Sequence, residues 1–358
     1  MLLIATTLLG RMAQPSADLD ISIRLRQMAL SLQAPSGGTR DTILPTLPQI
    51  PGRKGHALFG EFLLLQSQQR IEDGHISLAW QPLQQWAPQN VAQPSSIEAV
   101  ISSRVDFMKG KLCRFQGDFG SASRYLEPLA SQYPAPRIQF PARLHLAVVY
   151  GELGFWDKAQ AILDQTEPRT QKQQRLLRLA RAEVRLAQGL DKLATTPAFR
   201  SDGFFDSANE IFHSLSDEYQ DLAPSGKGMR RNFFRVCLGL AIIGHVKRRH
   251  KPQFGMIQAL SYWQRAYLAC RGCLVKWEGF PNVVCLLSMA EIKASLADRS
   301  GDADLDHAKE ILAQLSRDNV ESRFFFANLG TRWAQIICDW LEQAGKPRVL
   351  TGQGSGLG

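Results

Sequence analysis

The chain has 358 residues of which 44% are hydrophobic, enough for one large or two ordinary domains with a sizeable core, and this excludes disorder throughout. Its 42 Lys and Arg exceed its 33 Asp and Glu, a formal charge of +9 that favours acidic partners without marking a nucleic-acid binder. No run approaches the ~20 apolar residues of a membrane span, and six cysteines without framework spacing point to free thiols, so a cytoplasmic protein without membrane attachment is expected.

The opening MLLIATTLLG has the length of a signal-peptide core but lacks a basic start, and Arg11 follows too soon; it reads as a helix edge. Asp18 to Gln33 fits a helix moderately well. Ala34 to Gly55 carries Pro35, Pro45, Pro48 and Pro51 among several glycines and reads as a linker. The expected organisation is therefore an N-terminal helix plus linker over 1–55, a helical-repeat domain over 56–345, and a flexible tail over 346–358.

The stretch from Gly110 to Pro134 shows the repeating unit most clearly. Leu112, Cys113 and Phe115 end one helix, Gly117 to Gly120 turn the chain, and Ala122, Tyr125, Leu126 and Leu129 form the inward stripe of the next. Gly110 and Ala122 let the two backbones approach, and Gly117 is expected at positive φ. The same offsets recur at Gly74, Ala79 and Leu83, and again at Gly154, Ala159 and Leu163. Later pairs are looser. Arg175 to Gly189 precedes a helix with Ala208, Phe212 and Leu215; Ala259, Trp263 and Ala266 mark another second helix, and Ala308, Leu312 and Leu315 the last. The segment from Phe324 to Gly345 would close the stack.

This pattern resembles tetratricopeptide-type repeats, and its divergent, insertion-bearing style is similar to helical-repeat regions of filamentous-fungal proteins. Gly110, Gly117, Ala122 and Pro134 match the motif, as do Tyr150, Gly154 and Ala159. The marker alanines from Ala79 to Ala308 stand 37 to 51 residues apart rather than about 34, so the superhelix should be irregular. The resemblance implies an all-α solenoid of stacked antiparallel helix pairs that binds a protein or peptide in a groove lined by first helices, without catalysis.

Other constellations are weaker. Cys270 and Cys273 form a lone CxxC with Cys285, His245 and His250 nearby, and half-buried thiols explain it better than zinc. Asp302, Asp304 and Asp306 imitate a calcium loop, but His307 and Ala313 occupy positions that need Gly and Glu, so they read as a helix start. Ser225 to Gly228 lacks the rest of a phosphate loop. His245 to Lys251 reads as a basic, solvated inter-helix loop, with a nuclear-import address as its alternative. Met256, Met289 and Trp263 read as core.

The candidate binding face consists of basic stripes. Arg175, Arg178, Arg181 and Arg185 share one face of a helix whose opposite face is Leu176, Leu177, Leu179, Ala180, Val184 and Ala187. Arg104, Lys111 and Arg114 form a similar stripe earlier. Arg104, Lys111, Arg114, Arg178, Arg181 and Arg185 are the expected partner-binding residues, suited to an acidic peptide because arginine pairs carboxylates bidentately. No catalytic residue, metal or cofactor is expected. The alternative is a helical enzyme or accessory protein of a fungal metabolite pathway; a terpenoid-type cyclase of the ionising kind would need clustered aspartates on facing helices, and the one aspartate cluster reads as a loop.

Overall fold

Three left-handed glycines organise the first half of the fold. In a computed structural model that describes residues 57–87, 97–131, 136–195, 202–222, 227–250, 256–271, 279–296, 298 and 300–317, Gly74, Gly117 and Gly154 have φ of 82°, 80° and 79°. Each ends a first helix in the same way. The residue after the glycine donates its N–H back across the last turn, His75 to Arg70 O at 2.8 Å, Asp118 to Cys113 O at 2.9 Å, and Phe155 to Tyr150 O at 2.8 Å. That residue's own carbonyl then accepts from Ala79, Ala122 or Ala159, opening the second helix. The glycine-to-alanine spacing in the sequence is thus the length of one helix stop plus one helix start.

Twelve helices form six consecutive pairs among the described residues, and no strand is present there. They are α1 (Ala57–Glu72) with α2 (Ile76–Gln84), α3 (Ile97–Phe115) with α4 (Phe119–Ser131), and α5 (Pro136–Glu152) with α6 (Trp156–Asp164). Then come α7 (Gln171–Thr195) with α8 (Asp202–Leu222), α9 (Lys227–His250) with α10 (Met256–Arg271), and α11 (Gly279–Ser295) with α12 (Gly301–Arg317). The expected all-α solenoid is the observed architecture. Every helix packs on its partner, each second helix packs on the following first helix, and α1, α3, α5, α7 and α9 touch in succession as a continuous row.

Small residues set the spacing inside pairs. A Cβ on Gly110 would stand 2.8 Å from Leu126 Cγ, so α3 and α4 cross too closely for any side chain there. Ala79, Ala122, Ala159, Ala208, Ala259 and Ala308 are all fully buried. The apolar stripes merge into one large cluster, which joins Leu63, Ile101, Leu112 and Phe115 to Leu179, Leu186, Phe212, Ile242, Trp263 and Ile292. Two satellite clusters surround α4 to α6. The N-terminal pairs therefore share a core with the later ones.

Several expectations are corrected. Phe119 and Gly120 belong to α4, because Asp118 caps it by accepting from Ser121 N at 2.9 Å. The helix holding the arginine stripe runs on to Thr195, with Gly189 fitting where Phe204 and Phe205 press against the backbone. His245 to His250 is not a loop: it is the end of α9, with His245 and Val246 buried and Lys247 Nζ 2.6 Å from Asp206 Oδ1. The helical period continues there from Ile242 through His245 and Val246, under cover of the run of charges.

The aspartates Asp302 and Asp304 do occupy the first turn of α12, where Asp304 pairs Lys293 at 2.7 Å. Met289 and Trp263 are buried and Met256 packs on the core, as expected. Residues 1–56 and the Phe324 to Gly345 segment lie outside the described residues, as do Cys273 and the tail.

Positive φ at Gly117 makes a direct prediction. Val at this position must adopt a left-handed backbone that β-branched residues rarely enter, so Gly117→Val should lower the midpoint of thermal unfolding, by about 1–3 kcal/mol of stability. An unchanged midpoint would contradict the turn.

Candidate functional site

The row of first helices carries an unusual density of charge on its packed face. Arg235 interrupts the apolar run of α9, FFRVCLGL, and binds Glu183 of α7 at two points, Nε to Oε1 at 2.8 Å and Nη2 to Oε2 at 2.5 Å. Burial opposes the Arg235 charge, but Glu183 and Tyr219 outweigh it and hold the guanidinium protonated. On α3, Arg114 is only 7% exposed and its Nη1 lies 2.6 Å from His145 Nδ1 of α5. A guanidinium can only donate, so Nδ1 is the acceptor and the imidazole is uncharged. His145 also meets the Phe107 ring edge-on at 5.4 Å between centroids.

These groups act on one another across the row. Burial and then the charge of Arg235 bring Arg114 down to about 10, partly countered by Glu183 and Glu152. Burial, followed by Arg114 and Lys111, keeps His145 well below the ordinary imidazole range. Lys111 comes down to about 8, chiefly through burial, then through Arg114 and Arg231, against an opposing pull from Glu72. The Lys111 Nζ lies 5.9 Å and 5.8 Å from the centroids of Phe107 and Phe115, at the outer limit of a useful cation–π contact. Arg231 and Arg235 belong to α9, so α3 feels charges from three pairs further along the chain.

No family model, characterised protein or solved structure matches this chain.

The six residues expected to bind a partner separate into two groups. Lys111 and Arg114 belong to the charged cluster on the row of first helices. Arg104 pairs Glu61 of α1, Arg178 pairs Glu218 and donates to Ser214 Oγ of α8 at 2.6 Å, and Arg185 bonds Ser207 of α8. Arg181 donates to Asp164 Oδ1 of α6 at 3.3 Å and to the Leu163 carbonyl at 3.2 Å. Reversing Arg178 and Arg181 to Glu therefore removes ties between helices. The pairs are part-exposed, so each is worth only about 0.2–1 kcal/mol.

His145, Glu183, Arg231 and Arg235 were not singled out from sequence. One signal was available: a lone charged or polar residue inside an apolar helical run, as at Leu144-His145-Leu146 and Phe234-Arg235-Val236. Such a residue must be paired or functional once the helix is buried.

Among the described residues no group of three metal-ligating side chains occurs. Cys113, Cys237 and Cys285 are buried free thiols; burial pushes Cys237 up to about 12, which makes it inert as a nucleophile. No described helix is long and apolar enough to cross a membrane.

Proposed function

We propose that this chain is a tetratricopeptide-like helical-repeat adaptor that holds an acidic segment of a partner protein along its row of first helices. The observation that carries the reading is the row of touching first helices that bears Lys111 and Arg114 on α3 and Arg231 and Arg235 on α9, with the charges of α9 acting on those of α3. Gathering like charges at a partly buried place opposes folding. A fold with ample apolar contacts has no structural need of it, whereas a complementary acidic segment would gain from it. Repeat stacks offer an extended surface for such a segment, and the basic balance of the whole chain steers acidic partners toward it. The fungal likeness of the repeats leaves the partner's pathway to be found by capture from extract.

The test is fluorescence anisotropy with a labelled glutamate-rich peptide, a lysine-rich control and a DNA duplex, from about 0.05 to about 0.3 M salt. Saturable binding of the acidic peptide that weakens with salt is expected, with no binding of the control. Equal affinity for acidic and basic peptides, or preference for the duplex, would overturn the adaptor reading.

A further inference from the structure

We propose that His145 is a proton-sensitive latch on the seam between α3 and α5, closed by the Arg114 guanidinium when the imidazole is neutral and opened by its protonation. The latch holds whether or not the row of first helices binds an acidic segment. Its geometry admits one proton state. Arg114 Nη1 stands 2.6 Å from His145 Nδ1, and a guanidinium has only donors, so the imidazole nitrogen presents its lone pair. A proton on Nδ1 would set two cationic donors against each other at that distance. Both side chains are held in place. Arg114 is only 7% exposed, and the imidazole meets the Phe107 ring of α3 edge-on at 5.4 Å between centroids. Cys113 of α3 shares an apolar cluster with Ala142, Leu146 and Val149 of α5, so parting this seam also opens a dry contact.

Burial, then the positive charges of Arg114 and Lys111 on α3 and Arg235 on α9, hold His145 well below the ordinary imidazole range. The carboxylates acting on Arg114 are Glu183 of α7, engaged at both oxygens by Arg235, and Glu152 of α5 itself. Charges of α4 and α6 meet α5 at Tyr150 instead, where Glu127 Oε1 accepts from Tyr150 Oη at 2.9 Å and Lys158 Nζ lies 5.7 Å from the ring centroid. Once the seam parts, His145 regains an ordinary value near 6.5. The open chain then binds a proton that the closed chain refuses, so opening becomes easier as the pH falls below 6.5. Between pH 7.5 and pH 5.5 the opening equilibrium should rise about tenfold.

The experiment is hydrogen exchange of the full chain at pH 7.5 and pH 5.5, with amide protection corrected for the intrinsic pH dependence of exchange. Wild type should lose about tenfold in protection at α3 and α5, while α12 keeps its own. His145→Asn and His145→Phe should show no such loss, because neither side chain titrates. Asn offers an acceptor in place of Nδ1, and Phe keeps a ring against Phe107. Each protein is compared with itself across pH, so a difference in overall stability between variants does not enter. Protection at α3 and α5 that is unchanged with pH in wild type overturns the latch. An equal loss in wild type and both variants overturns it as well, since the titrating group then lies elsewhere.

Discussion

Gly239→Val should destabilise the protein by about 1–3 kcal/mol, through overpacking at the seam between α8 and α9. A Cβ on Gly239 would stand 2.5 Å from Phe212 Cζ and 2.6 Å from Cε2, inside the contact distance of any real pair of carbons. The Phe212 ring is fully buried, so it has no solvent to move into. Removing the ring alone, Phe212→Ala, should cost about 3–5 kcal/mol by opening a cavity in the main cluster. The double variant is the informative case. Valine then enters the space the ring has left, so its cost should fall short of the sum of the single costs by more than about 0.5 kcal/mol. Urea unfolding of the four proteins measures this, and additive costs would mean that α8 and α9 do not meet through these two residues.

Lys111→Met should have the opposite sign and stabilise the protein. In the folded chain Lys111 titrates near 8 instead of 10.5, so between those values the unfolded chain binds more protons and stability rises with pH. Below pH 8 the cost of the desolvated ammonium is present in full, and above 10.5 it has vanished. Methionine fills a similar volume without charge, which predicts a gain of about 1–3 kcal/mol at pH 7 that shrinks as the pH climbs through 8 toward 10.5. Denaturant titrations of both proteins at pH 7 and pH 10 test it. A variant no more stable than wild type at pH 7 would show that the Lys111 charge is well compensated. Stability given up for a charge in this position is the pattern expected of a binding residue.

How far the sequence foretold these sites follows from the range of each interaction. The turns at Gly74, Gly117 and Gly154 were legible because a helix stop and the next start lie within a handful of residues, and only glycine fits the left-handed position between them. The buried alanines followed from the same offsets. Beyond α6 no such glycine is found among the described residues, and there boundaries slipped, at Thr195 and at the basic end of α9. Charge pairing was not legible in the same way. Helical period placed Arg178 and Arg185 on a common face, but α8 supplies Glu218, Ser214 and Ser207 to meet them, a fact of packing between helices. The charged cluster depends on packing among first helices far apart in the chain, and no local spacing encodes that. What the sequence did contain was Arg235 and His145 standing alone in apolar runs.

The central claim is that acidic segments bind at the charged cluster on the row of first helices and not elsewhere on the surface. Peptide titration of two charge reversals tests it most directly: Lys111→Glu in that cluster, and Lys172→Glu at the exposed start of α7. Both change the net charge equally, so a general electrostatic attraction would be weakened alike in the two proteins. The account predicts loss of glutamate-rich peptide binding by at least about tenfold in Lys111→Glu, with near wild-type affinity in Lys172→Glu, both proteins remaining folded by circular dichroism. Equal weakening in the two variants would contradict it.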